Sequence, residues 1–235
     1  MKLFISPEVV ERYPSYRLTL IAGMSILGKE SEKNIGNLLE QQEEHIRSTV
    51  EISSLPQHPH IASWREVYAS FGAKPSKYRC AVESLTRAIL KRGRLPRINS
   101  LVNLCNFVSI KHVLPIDIMD LDNIEGDIGV CFAKGDERFL PLGTRELEPP
   151  EPGEVIYSDA VEVLGRRWNW RKSEKSKVET NTKTILITIE GIREISTGVI
   201  EEAETELSHL LGEFFDGTLT TYRLNAKNPQ VNIME

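Results

Sequence analysis

Apolar positions in the first half of the chain recur mostly at helical spacing, and beyond His112 they crowd into short β-branched runs. Arg17 to Ile26, "RLTLIAGMSI", is nearly all apolar and ends close to Gly28, which predicts a buried strand. Ser31 stands where it can cap a helix carrying Ile35, Leu38, Leu39, Gln42 and Ile46 through otherwise polar sequence. "LPQHPH" breaks that pattern. From Pro59, the residues Ile61, Trp64, Val67, Tyr68 and Phe71 share one helical face, and Gly72 supplies the stop. Ser76 is placed to cap a third helix with Tyr78, Val82, Leu85 and Ile89 on one side and Gly93 at its end. A fourth run, "INSLVNLCNFVSI", has the same period.

The segments "IDIMDLD", "DIGVCFA", "ERFLPL", "EVIYSD", "AVEVLG" and "TKTILITIEGI" then follow, separated by Gly, Pro and Asp. They predict strands of a mixed or antiparallel sheet. A last helix is expected from about Ser196, with Ile200, Ala203, Leu207, Leu210, Leu211 and Phe214 as its stripe, and "TLTTYRL" as an edge strand. No repeat or low-complexity linker interrupts the chain. The expected fold is α+β, a mixed or antiparallel sheet packed with helices, as a single domain over residues 1–235 that includes the N-terminal strand and helix at 15–50.

Composition changes this picture in three ways. No run of about 18 apolar residues occurs and the N-terminus lacks an apolar signal core, so neither a membrane span nor export is expected. Cys80, Cys105 and Cys131 are far apart and form no CxxC, which fits small buried groups in a reducing cytoplasm. The net charge of −5 argues against a general nucleic-acid coat. Charge is nevertheless uneven: "EQQEEH" and "LEPPEPGE" are acidic, "KRGRLPR" and "GRRWNWRK" basic, and a polyanion would have to meet the basic stretches.

The usual catalytic signatures are absent: no GxSxG, no Gly-rich phosphate loop and no HExxH. His58 and His60 flank Pro59 and look like a helix entry rather than metal ligands, so no metal and no cofactor is expected. An enzyme built on this chain would work by positioning water and substrate.

Leu95 to Val130, "LPRINSLVNLCNFVSIKHVLPIDIMDLDNIEGDIGV", resembles the B3/B4 editing domain of the phenylalanyl-tRNA synthetase β subunit. That family reads roughly R-x-I-N-x-V-V-D-x-T-N-Y-V and then L-G-Q-P-x-H-x-F-D-x-D-x-I-x-G. Arg97, Ile98, Asn99, Val102, Asn106, Val108, Pro115, Asp120, Asp122, Ile124 and Gly126 fall on matching positions. "VETNTKTILI" resembles a later V-x-x-x-T-x-x-V run, so the likeness covers roughly residues 60–215. "WREVYASFGAKPSKYR" and "GRRWNWR" are similar to the stand-alone branch of the family. In the synthetase this domain hydrolyses an amino acid wrongly esterified to tRNA. The resemblance therefore implies recognition, and hydrolysis by a positioned water, of an aminoacyl ester; aminoacylation itself is not implied. Such an ester is already activated, so orienting water and stabilising the oxyanion suffice. Asp117 stands where the family carries a pocket histidine, and its pocket glutamate falls near Glu174.

Asp117 is accordingly the catalytic candidate, as an ammonium ligand or a weak base orienting water. Asn99, Asn103 and Asn106, spaced i, i+4 and i+7, form a polar stripe that either lines the pocket or is solvated and caps loops. Asp120 and Asp122 are expected to hold a turn. Alternation along "GRRWNWR" sets Trp168 and Trp170 on one strand face and Arg167, Asn169 and Arg171 on the other. That is either an ordinary sheet edge or a strand closing a substrate pocket with one face and meeting phosphate or a terminal adenine with the other. On the latter reading Trp168, Asn169, Trp170 and Glu174 belong to the pocket, and Arg97, Arg166, Arg167 and Arg171 to a tRNA-binding rim. "KRGRLPR" reads as a helix C-terminus complementing its dipole, or as a contact to the tRNA backbone.

Three functions follow. The first is a trans-acting aminoacyl-tRNA deacylase, with tRNA and the amino acid moiety as its ligands. The second is a non-catalytic module that binds an amino acid, a nucleotide or the tRNA acceptor end. The third is an interaction domain whose acidic helix, Ser31 to Val50, docks a synthetase.

Overall fold

The computed structural model describes residues 1–233. The strands are β1 (Lys2–Ile5), β2 (Arg17–Gly28), β3 (Ile116–Asp120), β4 (Ile128–Phe132), β5 (Val155–Ser158), β6 (Val163–Arg166), β7 (Arg171–Lys172), β8 (Ile185–Gly191), β9 (Phe215–Leu224) and β10 (Gln230–Asn232). The helices are α1 (Pro7–Arg12), α2 (Ile35–Thr49), α3 (Pro59–Ser70), α4 (Ala81–Arg92), α5 (Ser100–His112) and α6 (Thr197–Phe214). The chain is thus α+β, as expected. One sheet runs β10-β1-β4-β5-β6-β7 and is mixed, because β1 pairs parallel to β4; the other runs β3-β8-β2-β9 and is antiparallel throughout.

The four-stranded sheet is built on β8, "ILITIEG", every residue of which is buried between β3 and β2. α6 packs across β2, β8 and β9, and its stripe of Ile200, Ala203, Leu207, Leu211 and Phe214 is buried. Ser196 caps it by accepting from the Val199 amide. α5 lies on β3 and is flanked by α2 and α6. One continuous apolar cluster extends from Leu3 to Ile233 and joins residues of both sheets, and a smaller one, with Phe139 and Val163, lies beside the six-stranded sheet. Among the described residues no helix is long and apolar enough to cross a membrane.

Several expectations shift. α2 starts at Ile35, after a 3-10 turn over Glu30–Asn34, so Ser31 does not cap it; its hydroxyl donates to the Glu213 carbonyl instead. α4 begins at Ala81 rather than near Ser76, because the Tyr78 amide closes a turn onto the Lys74 carbonyl. Gly93 caps its end as predicted, at φ +85, a left-handed conformation that glycine adopts without a Cβ clash. "ERFLPL" forms no strand: it buries Phe139 and makes only a single bridge, Pro141 to Ser173. β1, α1 and β10 are too short to show a period.

Candidate functional site

The two sheets and the N-terminal half of α4 enclose a cavity of about 260 Å³. Its wall on the antiparallel side follows from strand alternation. In β8, Thr188 and Glu190 point to one face, and Thr188 pairs in register with Asp117 of β3. These three polar residues, with Met119, reach the cavity, while the intervening Ile187 and Ile189 are buried. Ala81, Ser84 and Leu85 of α4 close one side, and Asn106 of α5 completes the wall.

The opposite wall is the "GRRWNWR" segment, and its geometry differs from the predicted strand. Gly165 pairs with Lys172 and Arg166 with Arg171, so Arg167 to Trp170 form the tip of a hairpin. Arg167 and Trp168 are left-handed, at φ 45 and 65. Non-glycine residues adopt this conformation at some strain, held by surrounding packing. The turn breaks the expected alternation. Trp168 swings inward and is 1% exposed, its ring edge-on to Tyr16, Tyr13 and Trp64 at 4.8, 5.0 and 5.4 Å. Trp170 stays half-buried, 4.9 Å from Tyr78.

Asn169, at the tip, ties three elements together. Its Oδ1 accepts from Tyr68 Oη of α3 at 3.0 Å and from the Ala81 amide of α4 at 3.3 Å. Its Nδ2 donates to Glu190 Oε2 at 2.5 Å. Glu190 Oε1 accepts from Tyr16 Oη at 2.7 Å and from Tyr157 Oη at 2.5 Å. Burial pushes the Glu190 carboxyl up to about 7, even though the hydrogen bonds from Tyr157, Tyr16 and Asn169 pull the other way. The neighbouring Asp117 adds to the rise.

This carries a pH dependence. Unfolded, the carboxyl returns to its ordinary value near 4.5, so between 4.5 and about 7 the native state binds more protons than the unfolded one. Stability therefore falls as pH rises through that window and levels off above it, a loss of roughly 3 kcal/mol. Urea midpoints measured from about pH 5 to about pH 8 are expected to lose most of this slope in Glu190→Gln; a variant with the wild-type slope would assign it to another group.

Asp117 sits at the mouth of the cavity with Lys172 Nζ 3.1 Å from its Oδ1, and the same ammonium donates to the Ile118 carbonyl. Among the described residues no histidine lines the cavity, and no cluster of His, Cys, Asp and Glu is arranged to hold a metal ion. Burial pushes the Cys80 thiol up to about 12 and raises Cys105 as well, so neither supplies a thiolate. The titratable groups left facing the cavity are Asp117, Glu190, Tyr157, Lys172 and Arg171. That set can orient water, bind an ammonium group and stabilise a developing oxyanion, but offers no activated nucleophile.

Of the residues singled out in the sequence, Asn106, Asp117, Trp168, Asn169, Trp170 and Arg171 meet at this cavity. Others lie elsewhere. Asn99 precedes α5 in extended conformation, so the helical stripe does not include it; it caps the helix through the Val102 amide and donates to the Val178 carbonyl. Asn103 accepts from the Ile98 amide. Glu174 accepts from the Gly143 amide and pairs with Lys177, away from the cavity lining.

The arginines of the expected rim are mostly engaged by carboxylates. Arg166 is 2% exposed and grips Glu154 at 2.7 and 3.0 Å and Glu148 at 2.8 Å. Arg167 is buried against Glu154 at 3.2 Å, its guanidinium 3.8 Å above the Tyr78 ring. Arg97 is held by the buried Glu43. Arg171, which pairs with Glu148, is the one of the four at the cavity. Carboxylates brought in by chain folding, unseen in the local sequence, account for the difference. Sequence reasoning also missed Glu190 and Lys172. The signal for Glu190 was present: Thr188 and Glu190 are polar at a period of two inside an otherwise apolar strand.

Residues 63–210 match the family model described as the B3/4 domain. No curated protein matches the chain by sequence. Among solved structures the chain is similar to an N-terminal fragment of the phenylalanyl-tRNA synthetase β-subunit from Pyrococcus horikoshii, at 14% identity and a TM-score of 0.43, over 94% of this chain and 53% of that one. The chain thus spans about half the length of that fragment. With the family model covering more than half of its residues, the chain belongs to the B3/4 domain family.

Proposed function

We propose that the protein recognises aminoacyl-tRNA and hydrolyses a mischarged aminoacyl ester in trans with a positioned water. The observation that carries this reading is the meeting of Asp117, Lys172, Asn169 and Glu190 with Trp168 and Leu85 around one small cavity. Membership of the B3/4 family, and the motif likeness to the synthetase editing domain, support tRNA as the partner. The apolar wall takes the amino acid side chain and Glu190 sets the polar end of the chamber. Asp117, held by Lys172, accepts a proton from the attacking water. The water oxygen bonds to the ester carbonyl carbon, the ester C–O bond breaks, and the proton passes from Asp117 to the departing ribose oxygen. The Lys172 ammonium offsets charge on the carbonyl oxygen in the transition state. Free amino acid and uncharged tRNA result.

Incubation with a panel of mischarged tRNAs tests this. Release above the buffer rate is expected for at least one, and no release for any would sink it. One observation favours a second reading, a binding module without catalysis: Asp117 is engaged by a lysine, and Glu190 already accepts three hydrogen bonds. Calorimetry showing a bound free amino acid without ester turnover supports that alternative.

A further inference from the structure

α4 runs from the cavity to a cationic hollow that ester hydrolysis leaves unused. Arg92, Arg94 and Arg97 crowd around its C-terminal end, and Arg47 of α2 joins them about an open hollow of about 390 Å³ that also contains Glu40 and Glu43. Two of the arginines are occupied. Arg97 chelates Glu43 at 2.7 and 2.8 Å; Arg47 pairs with Glu44 and donates to the Gly93 carbonyl. Arg92 and Arg94 are exposed, and among the described residues neither meets a carboxylate. The helix dipole explains a cation in the last turn, such as Lys91 or Arg92, but not Arg94 and Arg97, which lie beyond the Gly93 cap. In a chain of net charge −5, Arg92 and Arg94 line this hollow without an ion pair among the described residues, and Glu40 and Glu43 share it with them.

Helix periodicity links this hollow to the cavity. Arg92 follows Ala81 by eleven residues and Leu85 by seven, which puts it within about 20° of both around the helix axis. It lies about 10 Å further along the axis than Leu85. Between them that side of the helix presents Ala88, half-buried. It is short and uncharged, so an extended chain has room to lie there.

We infer that the hollow holds the phosphodiester backbone of the RNA whose aminoacylated end enters the cavity, with Arg92 and Arg94 as its free phosphate ligands. Arginine forks match phosphate oxygens bidentately, and Arg47 and Arg97, already held by carboxylates, keep the hollow open. The inference rests on the aminoacyl-ester reading of the cavity.

The test compares wild type with the double variant Arg92→Ala/Arg94→Ala, using full-length tRNA across a salt series and a short aminoacyl-adenosine ester that cannot reach the hollow. The variant is expected to bind tRNA about tenfold or more weakly at low salt, with a log K against log salt slope smaller by about 1 to 2. Its handling of aminoacyl-adenosine is expected to match wild type. Unchanged tRNA affinity and slope in the variant overturn the inference, and so does displacement of tRNA by polyglutamate at equal charge, which makes an acidic protein the partner. If wild type neither binds nor cleaves aminoacyl-adenosine but the variant still loses tRNA affinity, the cavity reading fails and the hollow stands as an RNA contact.

Discussion

Asp117→Asn is expected to lower kcat/KM on a susceptible mischarged tRNA by about two to four orders of magnitude, the usual contribution of a positioned general base. The substitution is close to isosteric. An asparagine Oδ1 still accepts from Lys172, so the side chain keeps its place beside Thr188, but an amide takes no proton from water. The carboxylate is 41% exposed at its side chain, so losing its ion pair changes stability by about 1 kcal/mol at most, and the loss of activity is not a folding effect. The kinetic split separates two roles. A base lost from the transition state lowers kcat with KM little changed; an ammonium ligand lost from substrate binding raises KM with kcat retained. A fully active variant removes Asp117 from the chemistry and leaves Glu190 as the carboxylate facing the cavity.

What could be read in advance divides along a physical line. α3, α4 and α6 were legible because each carries a buried stripe at 3.6-residue spacing with proline, serine or glycine at an end, and α5, buried around most of its circumference, as an apolar run of helical length. β2 and β8 were legible as apolar runs. The mixed sheet was legible only in kind, since pairing of β1 with β4 joins residues more than a hundred apart and leaves no local trace. At the site, Asp117 and the Trp168–Arg171 segment do meet. Their manner of meeting was hidden, because a left-handed pair at Arg167 and Trp168 turns a supposed strand into a hairpin tip, and neither residue type announces that conformation. The arginines show the same limit. A basic cluster reads as an anion site until the fold brings Glu148 and Glu154 against it.

That burial supports a second large effect. Arg166→Met is expected to destabilise the protein by about 3 kcal/mol, the lower end of the range for breaking a buried ion pair. Arg166 Nε and Nη2 both donate to Glu154, which is 1% exposed and has little access to water. Removing the guanidinium, which lies over the Phe139 ring, leaves that carboxylate buried with, among the described residues, only Arg167 at 3.2 Å to offset it. The remaining contact is why the lower figure applies. For a chain of this length the shift in thermal midpoint is roughly 6–12 °C. Adding Glu154→Gln removes the stranded charge, so the double variant is expected to regain part of the loss, a coupling that thermal or urea unfolding of all four forms measures directly. The same series separates a structural arginine from a tRNA contact. If Arg166 serves the fold, the double variant retains wild-type tRNA affinity and salt slope. If it meets phosphate, both fall even where stability has been restored.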